Sequence, residues 1–365
     1  MKIHFKKRQL QEMLVLFFVY VSPIIDNLLG GIMRSTDEDA LLGKVYRFFF
    51  VAILLLILLF QSKRKDMIKI LLISVWFILL PLIYSLMNSS TDGLIIDYIQ
   101  ISKLFYPIIL YQVLSLLISK GRLLPQDIEY CIRYYIWFYP LSLVIPYILG
   151  LGYRSYAAYD AGYSGFYAAG NELSIVLVAV FIISFDLLIS KKEYRMILAV
   201  GLNIFCILLT GSKTGMIMLI VGTIAIMLHT RDVLVRVKRV LGIICCCIPI
   251  SYGVIILMKN QIDTTMKMIQ FKYNQLDGEF ISFLFSNRNK KIIPNFVSSI
   301  SSAEHGILNF FIGKGYYRQA VIYKTNLKLA SSGLVEMDLF DIFYQHVVVL
   351  YFFTSKKYTR KSTKK

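Results

Sequence analysis

The sequence predicts an all-α, polytopic transmembrane helix bundle of about ten spans, with one long extracytoplasmic segment before the last span. Three observations carry this. Across 365 residues, 57% are hydrophobic and 14% aromatic, and the mean hydropathy of +0.64 lies outside the soluble globular range. Charged residues make up only 17% and gather in short clusters between apolar stretches, each long enough to cross a bilayer, which takes roughly 20 residues. The basic clusters also fall at every second loop, as the positive-inside rule requires. A net charge of +18, from 40 Lys+Arg against 22 Asp+Glu, would point to nucleic acid in a soluble protein, because counterion release rewards it. Here topology explains the excess, so the expected partner is the lipid bilayer and not nucleic acid.

The elements follow in order, with the N-terminus cytoplasmic. Lys2, Lys6, Lys7 and Arg8 precede the first span, about Gln11 to Leu29, which lacks an A-x-A cleavage site and reads as retained. The second runs from about Leu41 to Phe60, the third from Ile68 to Met87, the fourth from Leu94 to Ser119 and the fifth from Tyr134 to Gly152. The sixth, Asn171 to Ser190, ends in Lys191, Lys192 and Arg195. Short spans seven and eight are joined by the turn Gly211-Ser212-Lys213-Thr214-Gly215, and the ninth ends near Met258. A tenth begins near Asp338 and runs into a basic, cytoplasmic C-terminus. Three regions result: a bundle over 1–258, an extracytoplasmic region over 259–337, and a last span with its tail over 338–365.

Several classes are disfavoured. The five cysteines lie in or beside apolar spans without a CxxC pair or nearby histidines, so neither a disulfide framework nor a metal site is expected. No internal repeat marks a pseudo-symmetric transporter. No span carries the unpaired mid-membrane charge of a proton relay or ion pathway; Asp186 comes nearest, beside the inner interface.

Three polar constellations reach the outer surface, each at the start of a descending helix. The first is the tyrosine-rich loop from Tyr153 through Arg154, Tyr156, Asp160, Tyr163 and Tyr167 to Gly170-Asn171-Glu172. Aromatic faces suit sugar C–H surfaces, and Arg154 can hold hydroxyls or phosphate. The same residues also read as an interfacial aromatic belt, with Asn171 an N-cap and Glu172 a first-turn acid. The second constellation is the Gly211–Gly215 turn. Helix N-terminal amides, the positive dipole end, Lys213 and the Ser212 and Thr214 hydroxyls make an anion site that fits a lipid-linked diphosphate. A polar hairpin with a snorkelling lysine is the plainer alternative.

The third is the long segment itself, with Arg288, His305, Gly313-Lys314-Gly315-Tyr316-Tyr317-Arg318 and Glu336-Met337-Asp338. A connection needs far fewer residues, and loops of this length are mostly functional or disordered. Glu336, then Asp338, are candidate bases for an attacking hydroxyl, although both also suit a helix N-terminus. Lys213 ranks first among the cations, with Arg154, Arg288, Lys314 and Arg318 behind it.

At Gly165-Phe166-Tyr167-Ala168-Ala169-Gly170-Asn171-Glu172-Leu173, Leu208–Gly215, Gly313–Tyr316 and Val335–Asp341 the sequence resembles the O-antigen polymerase and ligase superfamily. It looks closest to the Wzy-type capsule and exopolysaccharide repeat-unit polymerases of Gram-positive bacteria. These pieces span Gly165 to Asp341, and the N-terminal half matches in topology alone. The resemblance implies a membrane glycosyltransferase that moves a growing glycan from undecaprenyl-diphosphate to a hydroxyl of the next lipid-linked repeat unit. Such an enzyme needs no nucleotide sugar, metal or cofactor, and works beside flippase and chain-length regulator proteins. Lys213 stands where the family usually has arginine, keeping the charge without the bidentate fork. Glu336 falls where ligase members place histidine, which favours the polymerase branch.

Three other readings stay open. An O-antigen-ligase-like transferase to a wall or lipid acceptor shares nearly all of this machinery. A transferase using single lipid-phosphate sugars would work through Asp37, Glu38 and Asp39. A lipid-linked glycan flippase or exporter would need polar residues reaching both faces, whereas here they gather on one.

Overall fold

The computed structural model describes residues 10–36, 41–61, 64–87, 91, 93–156, 160–168, 170–229, 259–275, and a few positions between 279 and 321. These hold nine helices: α1 (Leu10–Thr36), α2 (Leu41–Gln61), α3 (Arg64–Met87), α4 (Leu94–Ser119), α5 (Pro125–Ile148), α6 (Gly170–Ser190), α7 (Met196–Thr210), α8 (Lys213–His229) and α9 (Lys259–Asn274). The first eight overlap the apolar stretches expected as spans one to eight, although α5 begins at Pro125 and not at the expected Tyr134. Among the described residues, Leu10–Arg34 and Gly170–Ser190 are long and apolar enough to cross a membrane. Leu94–Lys103 and Phe105–Ser119 join them if taken as one span bent by 42°. Pro107 accounts for that bend, because it lacks the N–H that would bond to the Lys103 carbonyl. The expected ninth and tenth spans lie outside the described residues. Helix α9, polar and mostly exposed, opens the long segment.

The chain divides into two compact units: Met1–Tyr46 with Leu114–Phe271, and Arg47–Val113 with Lys272–Lys365. In the first, α6 packs on α7 and α8, and α5 touches α1, α6 and α7. Leu143, Leu173, Leu177, Phe181, Cys206 and Ile207 fill its centre. Helix α8 approaches α6 through glycines seven residues apart. A Cβ on Gly215 would fall 2.9 Å from the Ser174 Cβ, and one on Gly222 2.9 Å from the Ile182 Cδ1. Small residues at such contacts let helices pack closely where lipid supplies no hydrophobic drive.

Prolines fix partners within this unit. Pro23 in α1 leaves the Val19 carbonyl without its helical donor, and the Tyr135 hydroxyl of α5 donates to it. Pro140 does the same to the Ile136 carbonyl, which lies 3.5 Å from the Asn203 Nδ2 of α7. Neighbouring helices re-satisfy freed backbone groups in this way inside membranes. Tyr135→Phe and Asn203→Leu are each expected to cost about 0.6–1.7 kcal/mol, read as earlier thermal unfolding in detergent.

In the second unit, Phe50, Leu54, Phe77, Leu80, Ile101 and Ile109 are buried among α2, α3 and α4, and Phe77 meets Phe105 edge to face at 5.6 Å. Buried Asp97, near the start of α4, accepts the Tyr317 amide at 3.0 Å. The close approach of Gly93 to the Tyr317 ring, and of Gly315 to Asp97 and Tyr84, leaves no room for a Cβ. Asp97 thus acts as a cap, from a distant helix, for the helical turn Tyr316–Arg318.

Candidate functional site

The site grows from the end of α7. Gly211 adopts φ 65° and returns its N–H to the Leu208 carbonyl, a left-handed stop that glycine reaches without strain. Ser212 follows as the N-cap of α8. Its carbonyl accepts the Met216 amide at 3.1 Å, and its Oγ lies 3.4 Å from the Gly215 amide. The helix therefore starts at Lys213, so Thr214 and Gly215 belong to its first turn and not to a loop.

The start of α6 meets the start of α8 through side chains. Asn171 Oδ1 accepts the Ser212 hydroxyl at 3.3 Å and the Tyr156 hydroxyl at 3.4 Å. Ser174, one turn on, places its hydroxyl 3.1 Å from the Ser212 Oγ and 2.7 Å from the Asn171 carbonyl. Asn171 therefore does not serve as the simple N-cap that its sequence context allows. Helix α6 begins one residue earlier, and the Asn171 side chain ties two helices and a loop together. Each N-terminus carries about half a positive charge. Two such ends, with the half-buried Lys213 in the first turn of one of them, make a locally positive surface that Glu172, in the first turn of the other, partly offsets.

A hairpin from Tyr153 to Ala168 packs over these ends. It is held by paired bridges between Tyr153 and Gly165 and between Tyr156 and Ala161. Its return arm is pinned to α7 by the Tyr163 amide, which donates to the Leu209 carbonyl at 2.8 Å. Gly162, at φ 66°, passes so close to the Thr210 carbonyl that no Cβ would fit.

Arg154 reaches outward and pairs through its Nε with Asp160 Oδ1 at 2.9 Å. Tyr163 points inward, 4% exposed, with its ring edge-on to Tyr147 at 5.2 Å and its hydroxyl on the Leu151 carbonyl. Burial pushes its pKa up to about 12, so it stays protonated and supports the loop from beneath, without an open face for a sugar. Glu172 and Thr214 are exposed in the first turns of α6 and α8.

At the far end of α6 and α5 lies a different cluster, in which Arg133 grips Glu193 through two bonds of 2.7 and 2.8 Å and Glu129 at 2.9 Å. Those bonds hold both carboxylates below their usual range and push Arg133 up. With Lys191 on Glu129 at 3.3 Å, two positive and two negative charges balance there, whereas at the α6–α8 end Lys213, Arg154 and Arg34 outnumber Asp160 and Glu172.

Of the sequence-derived candidates, Arg154, Tyr163, Asn171, Glu172, Ser212, Lys213 and Thr214 belong to one unit, and the chain brings Asn171 and Ser212 into direct contact. Tyr316 and Arg318 belong to the other unit, in the turn held by Asp97. Arg288, Lys314, Glu336 and Asp338 lie outside the described residues, as does His305. Among the described residues no group of His, Cys, Asp or Glu could hold a metal ion. Ser174, Asp97 and Arg34 were not singled out from sequence, and Tyr156 was named there only as one of the loop tyrosines. Arg34 had a signal: a basic residue just past the first span, on the side that the basic clusters lead one to expect outside, where the charge rule disfavours it.

The chain matches, over residues 7–239, the model of a family described as O-antigen ligase like membrane protein. It belongs to that family. The match takes in the N-terminal half, where resemblance was expected in topology alone, and all the site residues of the α6–α8 end. It stops short of Gly313–Tyr316 and Val335–Asp341. No curated protein and no solved structure matches the chain. Family membership and the apolar helices make it a membrane protein of a glycan-transferring family.

Proposed function

We propose that this member is a repeat-unit polymerase, which transfers a growing glycan from undecaprenyl-diphosphate to a hydroxyl of another lipid-linked repeat unit on the outer membrane face. The observation that carries this reading is the junction of two helix N-termini through Asn171, Ser174 and Ser212, with Lys213 in the first turn of one of them. Breaking a sugar–diphosphate bond puts negative charge on the leaving diphosphate, and preorganised dipoles and fixed cations stabilise that charge most where water is scarce.

Lys213 and the first-turn amides hold the diphosphate, and Ser212 and Asn171 fix the geometry. Arg154 of the hairpin and the exposed Glu172 and Thr214 complete the binding set. The acceptor's proton goes to Glu336, or failing that Asp338, while Arg288, Lys314, Tyr316 and Arg318 of the long segment bind the glycan. Both termini are cytoplasmic, following the basic clusters. The family match fits a ligase-type acceptor equally well, and product analysis separates the two.

Proteoliposomes of the full chain, given undecaprenyl-diphosphate-linked repeat units as the sole substrate, should yield longer lipid-linked glycans without nucleotide sugar. Failure to elongate under these conditions overturns the reading. Neutralising Asp37 and Asp39 together should leave the rate unchanged. In the same assay Asp160→Asn is expected to lower KM about two- to fivefold, because an exposed carboxylate contributing up to about 1 kcal/mol no longer competes for Arg154.

A further inference from the structure

The hairpin that carries Arg154 also rests on the last turns of α1, which the chemistry above does not use. Arg34 donates from one guanidinium nitrogen to the Arg154 carbonyl at 2.7 Å and from the other to the Ala168 carbonyl at 2.8 Å. It thereby bridges the two ends of the hairpin. Its guanidinium also stands 5.7 Å from the centre of the Tyr153 ring, near enough for a cation–π contact. One turn back, a Cβ on Gly30 would overlap the Phe166 carbonyl and the Ala168 amide, and Gly31 faces the Phe166 ring. Backbone therefore lies on backbone here, which only glycine at position 30 allows.

On its opposite side the hairpin presses against α6. Ser155 sits so close to Gly170 that a Cβ there would lie 2.9 Å from the Ser155 Oγ. With the hairpin held at both edges, a shift at α1 reaches the Tyr156–Asn171 contact.

We infer that Arg34, with Gly30, is a positioning residue that seats the Tyr153–Ala168 hairpin on α1 and so places Arg154 and Tyr156 at the anion site. This inference rests on the proposed diphosphate site for its consequence, but its structural part can be tested separately. Arginine is suited to the task because its planar fork serves two carbonyls at once, while lysine, a point charge, serves them poorly. The charge is spent on carbonyls of the hairpin, so its effect on substrate passes through the loop.

Two measurements on the full chain in detergent test it. The first is the rate at which a membrane-impermeant maleimide labels Ser155→Cys, over a background lacking that cysteine. The second is the affinity for undecaprenyl diphosphate. Arg34→Ala and Gly30→Ala should each speed labelling severalfold and weaken binding about tenfold, the scale of one lost charge-assisted hydrogen bond, with Arg34→Lys in between. Because Gly30→Ala displaces the hairpin without touching any charge, agreement between the two variants marks a positioning role.

Weaker binding in Arg34→Ala with labelling unchanged, and no effect of Gly30→Ala, would mean that Arg34 meets the phosphate itself and would overturn the inference. Unchanged labelling in both variants would overturn it as well. Faster labelling in a protein that binds no undecaprenyl diphosphate, even unsubstituted, would uphold the seating of the hairpin and remove the diphosphate site instead.

Discussion

Lys213→Ala is expected to lower elongation of undecaprenyl-diphosphate-linked repeat units by about 10²–10³-fold, the range seen when one preorganised stabiliser of transition-state charge is removed. The loss should appear mainly in kcat, because the charge on the leaving diphosphate grows as the sugar bond breaks. Folding should be nearly unchanged, since the half-buried side chain lies in the first turn of α8, where alanine is a good helix former. Lys213→Arg should retain most of the activity, because it keeps the charge and adds a fork suited to phosphate. Equal rates for the alanine variant and the unsubstituted protein would remove Lys213 from the chemistry.

Ser212→Ala is expected to act through geometry. Ser212 is 1% exposed, and its Oγ is the point at which Asn171, Ser174 and the Gly215 amide meet. Losing it leaves α8 uncapped, at a cost of about 0.5–2 kcal/mol, and frees the starts of α6 and α8 to drift apart. A displacement of about 1 Å at a reacting centre can cost on the order of 10²-fold, so elongation should fall by about that much while the protein unfolds only a few degrees earlier. Ser174→Ala should follow with a smaller loss, because the Asn171–Ser212 bond survives it. Turnover near normal in both would show that the junction holds the helices together without serving transfer.

The sequence made the helices legible because apolar runs of fixed length are a strong, local signal, and α1 to α8 fall where those runs do. It also pointed to the α7–α8 turn, since a Gly-Ser-Lys-Thr-Gly string between two apolar stretches has few other uses. What stayed hidden is pairwise. Asn171 looked like a cap because an Asn before an apolar run is one, and nothing local says that Ser212, forty-one residues later, takes its side chain instead. Tyr163 looked like a sugar platform because neighbouring tyrosines do not reveal which ring turns inward. Asp97 gave no sign in the sequence, since its partner amide at Tyr317 lies 220 residues away. Local periodicity fixes elements, whereas long-range hydrogen bonds choose which polar residues become a site.

The most direct test of the central claim is the chain-length distribution of the cell's polysaccharide after deletion of the gene, with the unsubstituted gene and then the Lys213→Ala variant restored. A cationic site that releases polyprenyl diphosphate during polymerisation predicts that long chains vanish and single repeat units accumulate on lipid. The unsubstituted gene should restore the polymer and the variant should not. Long chains of normal size that fail only to reach their final acceptor would contradict the polymerase account and assign the protein to the attachment step.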